Sequence, residues 1–132
     1  MVALSVIALQ LPNGSFVLQR RAKGARFSPG KLGFFGGHAM PGERPLDTAR
    51  RELQEETSLE VGENSLQQIS EFEMKSDAGE EMLRFTIYRM PIKTADFTVH
   101  DGQGAEVYTR KEALSRADLT PSVKYALGKL LA

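Results

Sequence analysis

Residues 37–59 read GHAMPGERPLDTARRELQEETSL, and this stretch decides how the chain folds. It opens with a glycine, passes through a Pro-Gly turn, and continues into a segment where Leu46, Ala49 and Leu53 recur at the spacing of one helix face. A proline at the first helical position is favourable, because its φ is already helical and its missing N–H needs no partner there. The pattern predicts a helix of about three turns over residues 45–57.

Three carboxylates of this segment share one edge of the predicted helix. Glu52, Glu55 and Glu56 stand at i, i+3 and i+4, so they lie one turn apart and repel one another. Taken alone, such a cluster is more often a solvated face paired with neighbours such as Arg51. The double glycine upstream favours a second interpretation, because glycine lets backbone groups approach a ligand closely. A glycine loop beside clustered acids indicates a divalent metal such as Mg²⁺ or Mn²⁺, together with a phosphate.

The rest of the chain is mostly β-rich, with turn signals between the runs. The predicted strands cover residues 2–11, 15–21, 32–35, 66–74, 82–90, 97–100 and 105–108. Two further helix starts are predicted at Thr109 and Thr120, the second followed by apolar residues on one face. This order predicts an α/β fold in which helices cover the faces of a mixed sheet.

Composition limits the classes of function. The chain has 132 residues, of which 41% are hydrophobic and 26% charged, as expected for a single domain over residues 1–132. Seventeen basic and 17 acidic side chains give a net charge of zero, which argues against a nucleic acid polymer as partner. The lack of cysteine excludes a disulfide scaffold, thiolate catalysis and Cys-ligated zinc. The apolar N-terminal run is shorter than the ~20 residues that span a bilayer, so we expect no membrane contact and a cytoplasmic location.

Residues 37–59 closely resemble the signature of the Nudix hydrolases, G-x5-E-x7-R-E-U-x-E-E-x-G-U, where U is aliphatic. Eight of the nine fixed positions match. The matching residues are Gly37, Glu43, Arg51, Glu52, Leu53, Glu55, Glu56 and Leu59. The departure is Ser58, where the family has glycine, and a serine there requires either a different helix cap or a strained left-handed residue.

This resemblance, which extends more weakly over nearly the whole chain, implies a fold, a reaction and a cofactor. The fold is the Nudix α/β/α sandwich on a mixed β-sheet. The reaction is hydrolysis of a nucleoside diphosphate linked to another group, with Mg²⁺, or alternatively Mn²⁺, as cofactor. By analogy, the metal ligands are Gly37 through its carbonyl, Glu52, Glu55 and Glu56, with Glu52 as either a ligand or the base that takes the water proton.

The resemblance also implies roles for residues around the acids. Arg51 would orient a signature glutamate, and Glu106, after a later glycine loop, rivals Glu52 as the catalytic base. Arg20 and Arg21 end the first hairpin, where alternation lets only one of them face the site, and we expect Arg21 to contact substrate phosphates. Glu43 stays open between a structural role at the helix start and contact with the metal.

Two functions from different classes remain. The leading one is a Mg²⁺-dependent nucleoside triphosphate pyrophosphohydrolase of the house-cleaning type, acting on a small nucleotide. The alternative is a non-catalytic Nudix-fold module that senses or binds a nucleotide. Retention of all three clustered acids favours the enzyme. The sequence leaves open which nucleotide is used and whether the chain is a monomer or a homodimer.

Overall fold

A computed structural model describes residues 1–62 and 64–132, and within these the chain forms seven strands and three helices. The strands are β1 Val2–Gln10, β2 Phe16–Arg20, β3 Leu32–Gly33, β4 Phe35–His38, β5 Gln67–Lys75, β6 Met82–Pro91 and β7 Ala105–Tyr108. The helices are α1 Pro45–Glu56, α2 Arg110–Leu114 and α3 Pro121–Lys129. The predicted signature helix and both predicted hairpins are confirmed. Among the described residues, no helix is both long and apolar enough to cross a membrane.

The strands form one mixed sheet in the order β3-β2-β1-β6-β5. β1 runs parallel to β6, whereas the other pairs are antiparallel. Two short strands attach beside this path: β4 pairs with β1, and β7 pairs with β2. This arrangement places β4 and β1 next to α1, which is the geometry that builds the site.

Alternation along β1 separates two cores on opposite faces of the sheet. Val6 and Ala8 point into a first core together with Leu127 of α3, whereas Ile7 packs in a second core with Leu53 of α1. Each core is continuous from sheet to helix, so the helices cover both faces. The expected α/β/α sandwich on a mixed sheet is confirmed.

Two predicted strands differ from the structure. The run 32–35 is divided into β3 and β4 at Phe34, because β3 pairs with β2 while β4 pairs with β1. Residues 97–100 form no strand and contribute only a bridge between Val99 and Thr57. Their partner, Thr57, is the residue that ends α1 and not part of a strand. The residue pattern of 97–100 alone does not reveal this partner.

Candidate active site

A cleft of about 380 Å³ opens beside the C-terminal half of α1. One end is polar and is formed by side chains and backbone from three elements and one loop. These residues are Gln19 and Arg21 at the end of β2, Gly36 and Gly37 of β4, Glu52 and Glu56 of α1, and Asp101. The other end is apolar, and there Phe34, Phe85 and Met74 line the wall on the side of the first core. The cleft thus joins an acidic end to an apolar one.

Glu56 is the buried acid of the site. Its residue is 5% exposed, and its Oε1 accepts a hydrogen bond of 2.8 Å from the backbone N–H of Gly36. Burial raises the pKa of Glu56 to about 8, and the nearby carboxylates of Glu52 and Asp101 add to the rise. In the absence of a cation, this carboxyl therefore holds a proton near neutral pH.

The two glycines of β4 allow contacts that no other residue would permit. A Cβ on Gly37 would lie 2.5 Å from Cδ of Glu52. A Cβ on Gly36 would lie 2.1 Å from the carbonyl oxygen of Ser5, and Gly36 has a φ of 140°, which favours glycine. Gly36 therefore lets β4 lie against β1, and Gly37 lets the Glu52 carboxylate lie against the backbone.

Arg51 links the helix to the loop before it. Its Nε and Nη2 donate to both carboxylate oxygens of Glu43 at 2.7 and 2.9 Å. Nη1 donates to Oε1 of Glu52 at 2.9 Å, and Nη2 also reaches the carbonyl oxygen of His38 at 3.0 Å. One guanidinium thereby fixes the orientation of Glu52 relative to β4.

Glu43 is occupied by contacts within the chain. Besides Arg51, it accepts from the backbone N–H of Met40 at 2.7 Å and from the hydroxyl of Thr48 at 3.0 Å. The hydrogen bonds from Arg51, followed by that from Met40, lower the pKa of Glu43 to about 2. Of the two roles left open by the sequence, these contacts match the structural one.

The remaining predicted ligand, Glu55, lies at the rim. Its side chain is 57% exposed and contacts Nη1 of Arg51 at 3.3 Å. It does not line the cleft. Accordingly, the described residues contain no group of three or more histidine and acidic side chains that already forms a metal site.

The two adjacent arginines at the end of β2 separate as alternation requires. Arg21 lines the cleft, and its Nε donates to the carbonyl oxygen of Phe27 at 2.8 Å. Burial lowers the pKa of Arg21, which nevertheless keeps its charge. Arg20 points to the opposite face and pairs with Glu106 and Asp118.

The structure does not bring Glu106 to the acids of α1. In the pairing of β2 with β7, Glu106 stands opposite Leu18, whose side chain belongs to the first core. Its carboxylate accepts from Nε and Nη2 of Arg20 at 2.7 and 2.9 Å and from the hydroxyl of Tyr108 at 2.5 Å. These hydrogen bonds, that of Arg20 first, lower the pKa of Glu106.

Sequence reasoning missed Asp101, which is the loop carboxylate that does line the cleft. It begins the Asp-Gly-Gln-Gly loop, so the signal was an acid directly before a glycine loop that precedes a strand. The backbone brings it to α1, because the N–H of His100 donates to the carbonyl oxygen of Glu56 at 2.7 Å.

Ser58 explains how α1 ends without the family glycine. Thr57 is already extended, with φ −139°, so the chain leaves the helix without a left-handed residue. The N–H of Ser58 donates to the carbonyl oxygen of Thr98 at 2.9 Å, and the Ser58 hydroxyl accepts from the N–H of Thr98 at 2.9 Å. The serine therefore uses a different cap and fastens the segment that leads to Asp101.

The donor set fits a hard divalent cation. Glu52 and Glu56 bring carboxylate oxygens to the end of the cleft that Asp101 also lines, and Gly37 has no side chain to keep a ligand from its backbone. The carboxylates of Glu52 and Asp101 both raise the pKa of Glu56, so negative charge accumulates there and a cation would relieve it.

Comparison with known proteins agrees with this geometry. Residues 1–127 match the sequence profile described as the NUDIX domain. The chain belongs to the Nudix family. It is therefore a Nudix hydrolase, and members of this family act on small nucleotide-linked substrates and generally use divalent metal ions. No curated protein matches the sequence closely enough to serve as a relative.

Solved structures of other Nudix proteins share the fold. A MutT protein from Methanosarcina mazei superposes with a TM-score of 0.83 at 17% identity, covering 97% of this chain and 91% of its own. A MutT NUDIX hydrolase from Burkholderia pseudomallei gives 0.78 at 19% identity, covering 97% and 96%. An Ap4A hydrolase from C. elegans gives 0.67 at 18% identity, covering 96% and 93%.

Proposed function

We propose that this Nudix hydrolase is a nucleoside triphosphate pyrophosphohydrolase that depends on Mg²⁺, with Mn²⁺ as an alternative metal. The observation that carries the proposal is the buried carboxyl of Glu56, which faces Glu52 and Asp101 at one end of a cleft whose other end is apolar. An acidic end suits metal-bound phosphates, and an apolar end lined by aromatic rings suits a nucleobase.

Glu52, Glu55, Glu56 and the carbonyl of Gly37 would hold the metal. The bound metal would neutralise phosphate charge and make a water molecule more acidic. Arg51 is a positioning residue, because it holds Glu52 in place through Nη1 and is itself fixed by Glu43. Glu55 would turn inwards to reach the metal, and its solvated contact with Nη1 of Arg51, at 3.3 Å, would oppose this movement only weakly.

Two carboxylates at the acidic end are able to accept the proton of the attacking water. Glu52 belongs to the signature, and Asp101 is an acid from a later loop that lines the cleft, so we assign it the candidate role that we expected for Glu106. Glu106 is engaged with Arg20 on the other face, so we assign it no contact with the water.

Arg21 would contact the phosphates. Its guanidinium lines the cleft beside the acids, and among the described residues no carboxylate lies within salt-bridge distance of it. Its Nε is held by the carbonyl of Phe27, which leaves the two Nη groups for an anion. The phosphates of a substrate that spans the cleft would thus contact both the metal ion held at Glu56 and the guanidinium of Arg21.

The proposal is tested by measuring phosphate and pyrophosphate release from a panel of nucleoside triphosphates, nucleotide sugars and dinucleoside polyphosphates, with and without Mg²⁺. We expect Mg²⁺-dependent release of pyrophosphate from at least one nucleoside triphosphate. Absence of release from every compound, with nucleotide binding retained, would contradict the proposal and favour the non-catalytic sensing module.

A further inference from the structure

Two loops from different parts of the chain meet across the apolar end of the cleft. The first, residues 22–31, connects β2 to β3, and the second, residues 76–81, connects β5 to β6. Ser28 of the first loop and Asp77 of the second both line the cleft. A contact between Ser28 and Asp77 is therefore part of the cleft wall.

The contacts between the loops are polar and converge on Asp77. Its Oδ2 accepts from the hydroxyl of Ser28 at 2.8 Å and from Nζ of Lys31 at 3.2 Å. Arg26 forms a further ion pair with Glu81. We call the bonds of Ser28 and Lys31 to Asp77 the clasp. Burial opposes ionisation of Asp77, but these two bonds, the charge of Lys31 and a backbone contact of Ser28 together lower its pKa, so the clasp is charged at neutral pH.

The backbone of Ser28 indicates that the clasp determines the shape of the first loop. Ser28 has a φ of 48°, in the left-handed region that a serine seldom adopts, and it is only 6% exposed. Such a conformation persists only where the surroundings hold it in place. The Ser28 hydroxyl bonded to Asp77 supplies one such restraint.

The first loop also carries groups that line the cleft or hold a residue that does. The Phe27 side chain packs against the first core and lies beside the ring of His38, with centroids 5.6 Å apart. The Phe27 carbonyl holds Nε of Arg21. Release of the clasp would consequently loosen the wall at the apolar end and weaken the hold on Arg21, while leaving Glu52 and Glu56, which belong to α1, in place.

From these contacts we propose that the clasp is a specificity-determining closure over the nucleoside part of the substrate, with Asp77 as its central residue. The inference rests on the proposed function for the identity of the ligand. It predicts that the clasp contributes more to binding of a nucleoside than to binding of phosphates alone, because Glu52 and Glu56 lie on α1 and the clasp reaches the phosphate contacts only through Arg21, which the Phe27 carbonyl holds.

The test compares Asp77→Ala with wild type and with Glu80→Ala. Glu80 is an exposed acid of the same loop that makes no side-chain hydrogen bond within residues 1–62 and 64–132. Dissociation constants are measured with Mg²⁺ for the four α,β-methylene nucleoside triphosphates and for inorganic tripolyphosphate. We expect Asp77→Ala to weaken the tightest nucleotide about tenfold and tripolyphosphate no more than about threefold, the smaller loss coming through Arg21, with Asp77→Asn intermediate because it keeps an acceptor for Ser28.

A second readout does not depend on catalysis. Loop 22–31 contains three trypsin sites, at Lys23, Arg26 and Lys31. In Asp77→Ala we expect cleavage at these sites to become at least tenfold faster, and in wild type we expect the methylene nucleotide to slow it more than tripolyphosphate does.

The proposed role of the clasp is overturned if Asp77→Ala binds the nucleotide as tightly as wild type, or if it loses nucleotide and tripolyphosphate affinity equally. It is also overturned if the loop is cut at the wild-type rate. Failure of the proposed function has a different signature, since wild type would then release no pyrophosphate while binding and proteolysis would still report on the clasp.

Discussion

The carboxylate of Glu52 lies directly against the backbone of Gly37, so that a Cβ at position 37 would be 2.5 Å from Cδ of Glu52. Arg51 holds the two residues together, because it donates hydrogen bonds to Glu52 and to the carbonyl of His38, the residue that follows Gly37. Helix α1 and strand β4 therefore present one composite surface to the cleft. The signature glutamate can therefore keep its position only if the signature glycine has no side chain.

Gly37→Ala tests whether the close contact between Gly37 and Glu52 matters for activity. The added methyl cannot coexist with the observed position of Glu52, so we expect kcat/KM to fall about tenfold or more and Mg²⁺ to bind more weakly. Gly128→Ala in α3 is the matched control, since its Cβ would meet nothing within 4 Å. Equal activity of the two folded variants would show that the contact is irrelevant to the reaction.

Glu106→Gln separates a structural from a catalytic role. The carboxylate is held by Arg20 and Tyr108 on the face opposite to α1, so we expect a loss of about 1–3 kcal/mol in the free energy of unfolding. Turnover of the folded variant should stay within twofold of wild type. Urea unfolding and steady-state kinetics measure the two quantities, and a hundredfold fall in kcat at unchanged stability would restore Glu106 as the base.

The fold and half of the site were predictable because their signals are local. Helix α1, its acids and the double glycine lie within 23 residues, where periodicity and spacing suffice. Asp101 and Glu106 both border one glycine loop; the pairing of β7 with β2 turns Glu106 away from the cleft, and the hydrogen bond of His100 to Glu56 brings Asp101 to it. Strand register depends on distant partners, so neither composition nor alternation fixes it.

Ser58→Ala removes the hydroxyl that accepts from the N–H of Thr98. We expect the Thr98 amide to exchange faster with solvent and stability to fall by about 0.5–1.5 kcal/mol. Because this segment leads to Asp101, kcat should fall more than KM rises. Ser58→Thr keeps an acceptor oxygen and should restore protection of the amide; unchanged exchange in Ser58→Ala would refute the role given to this cap.

The pKa of Glu56 predicts how metal-free stability depends on pH. A carboxyl whose pKa rises from 4.5 unfolded to about 8 folded binds more protons in the native state, so its contribution to stability is lost as pH rises through this window. Burial lowers the pKa of His38, which acts in the opposite direction near pH 6.5. Comparing the pH dependence of stability in wild type and in Glu56→Gln therefore isolates the contribution of Glu56.

In EDTA, the variant should gain stability relative to wild type between pH 5 and pH 8, as measured by the urea midpoint. His38 is unchanged in both proteins and cancels. A difference between the two proteins that stays constant over this range would show that Glu56 does not titrate there.

The most direct test of the account is the Mg²⁺-dependent turnover of Glu56→Gln on the best nucleoside triphosphate, with Glu60→Gln, an exposed acid just beyond α1, as control. We predict that Glu56→Gln remains folded and loses about 10²-fold or more in kcat because the buried charge that would hold the metal is gone, whereas Glu60→Gln matches wild type. Turnover close to wild type in folded Glu56→Gln would contradict the account.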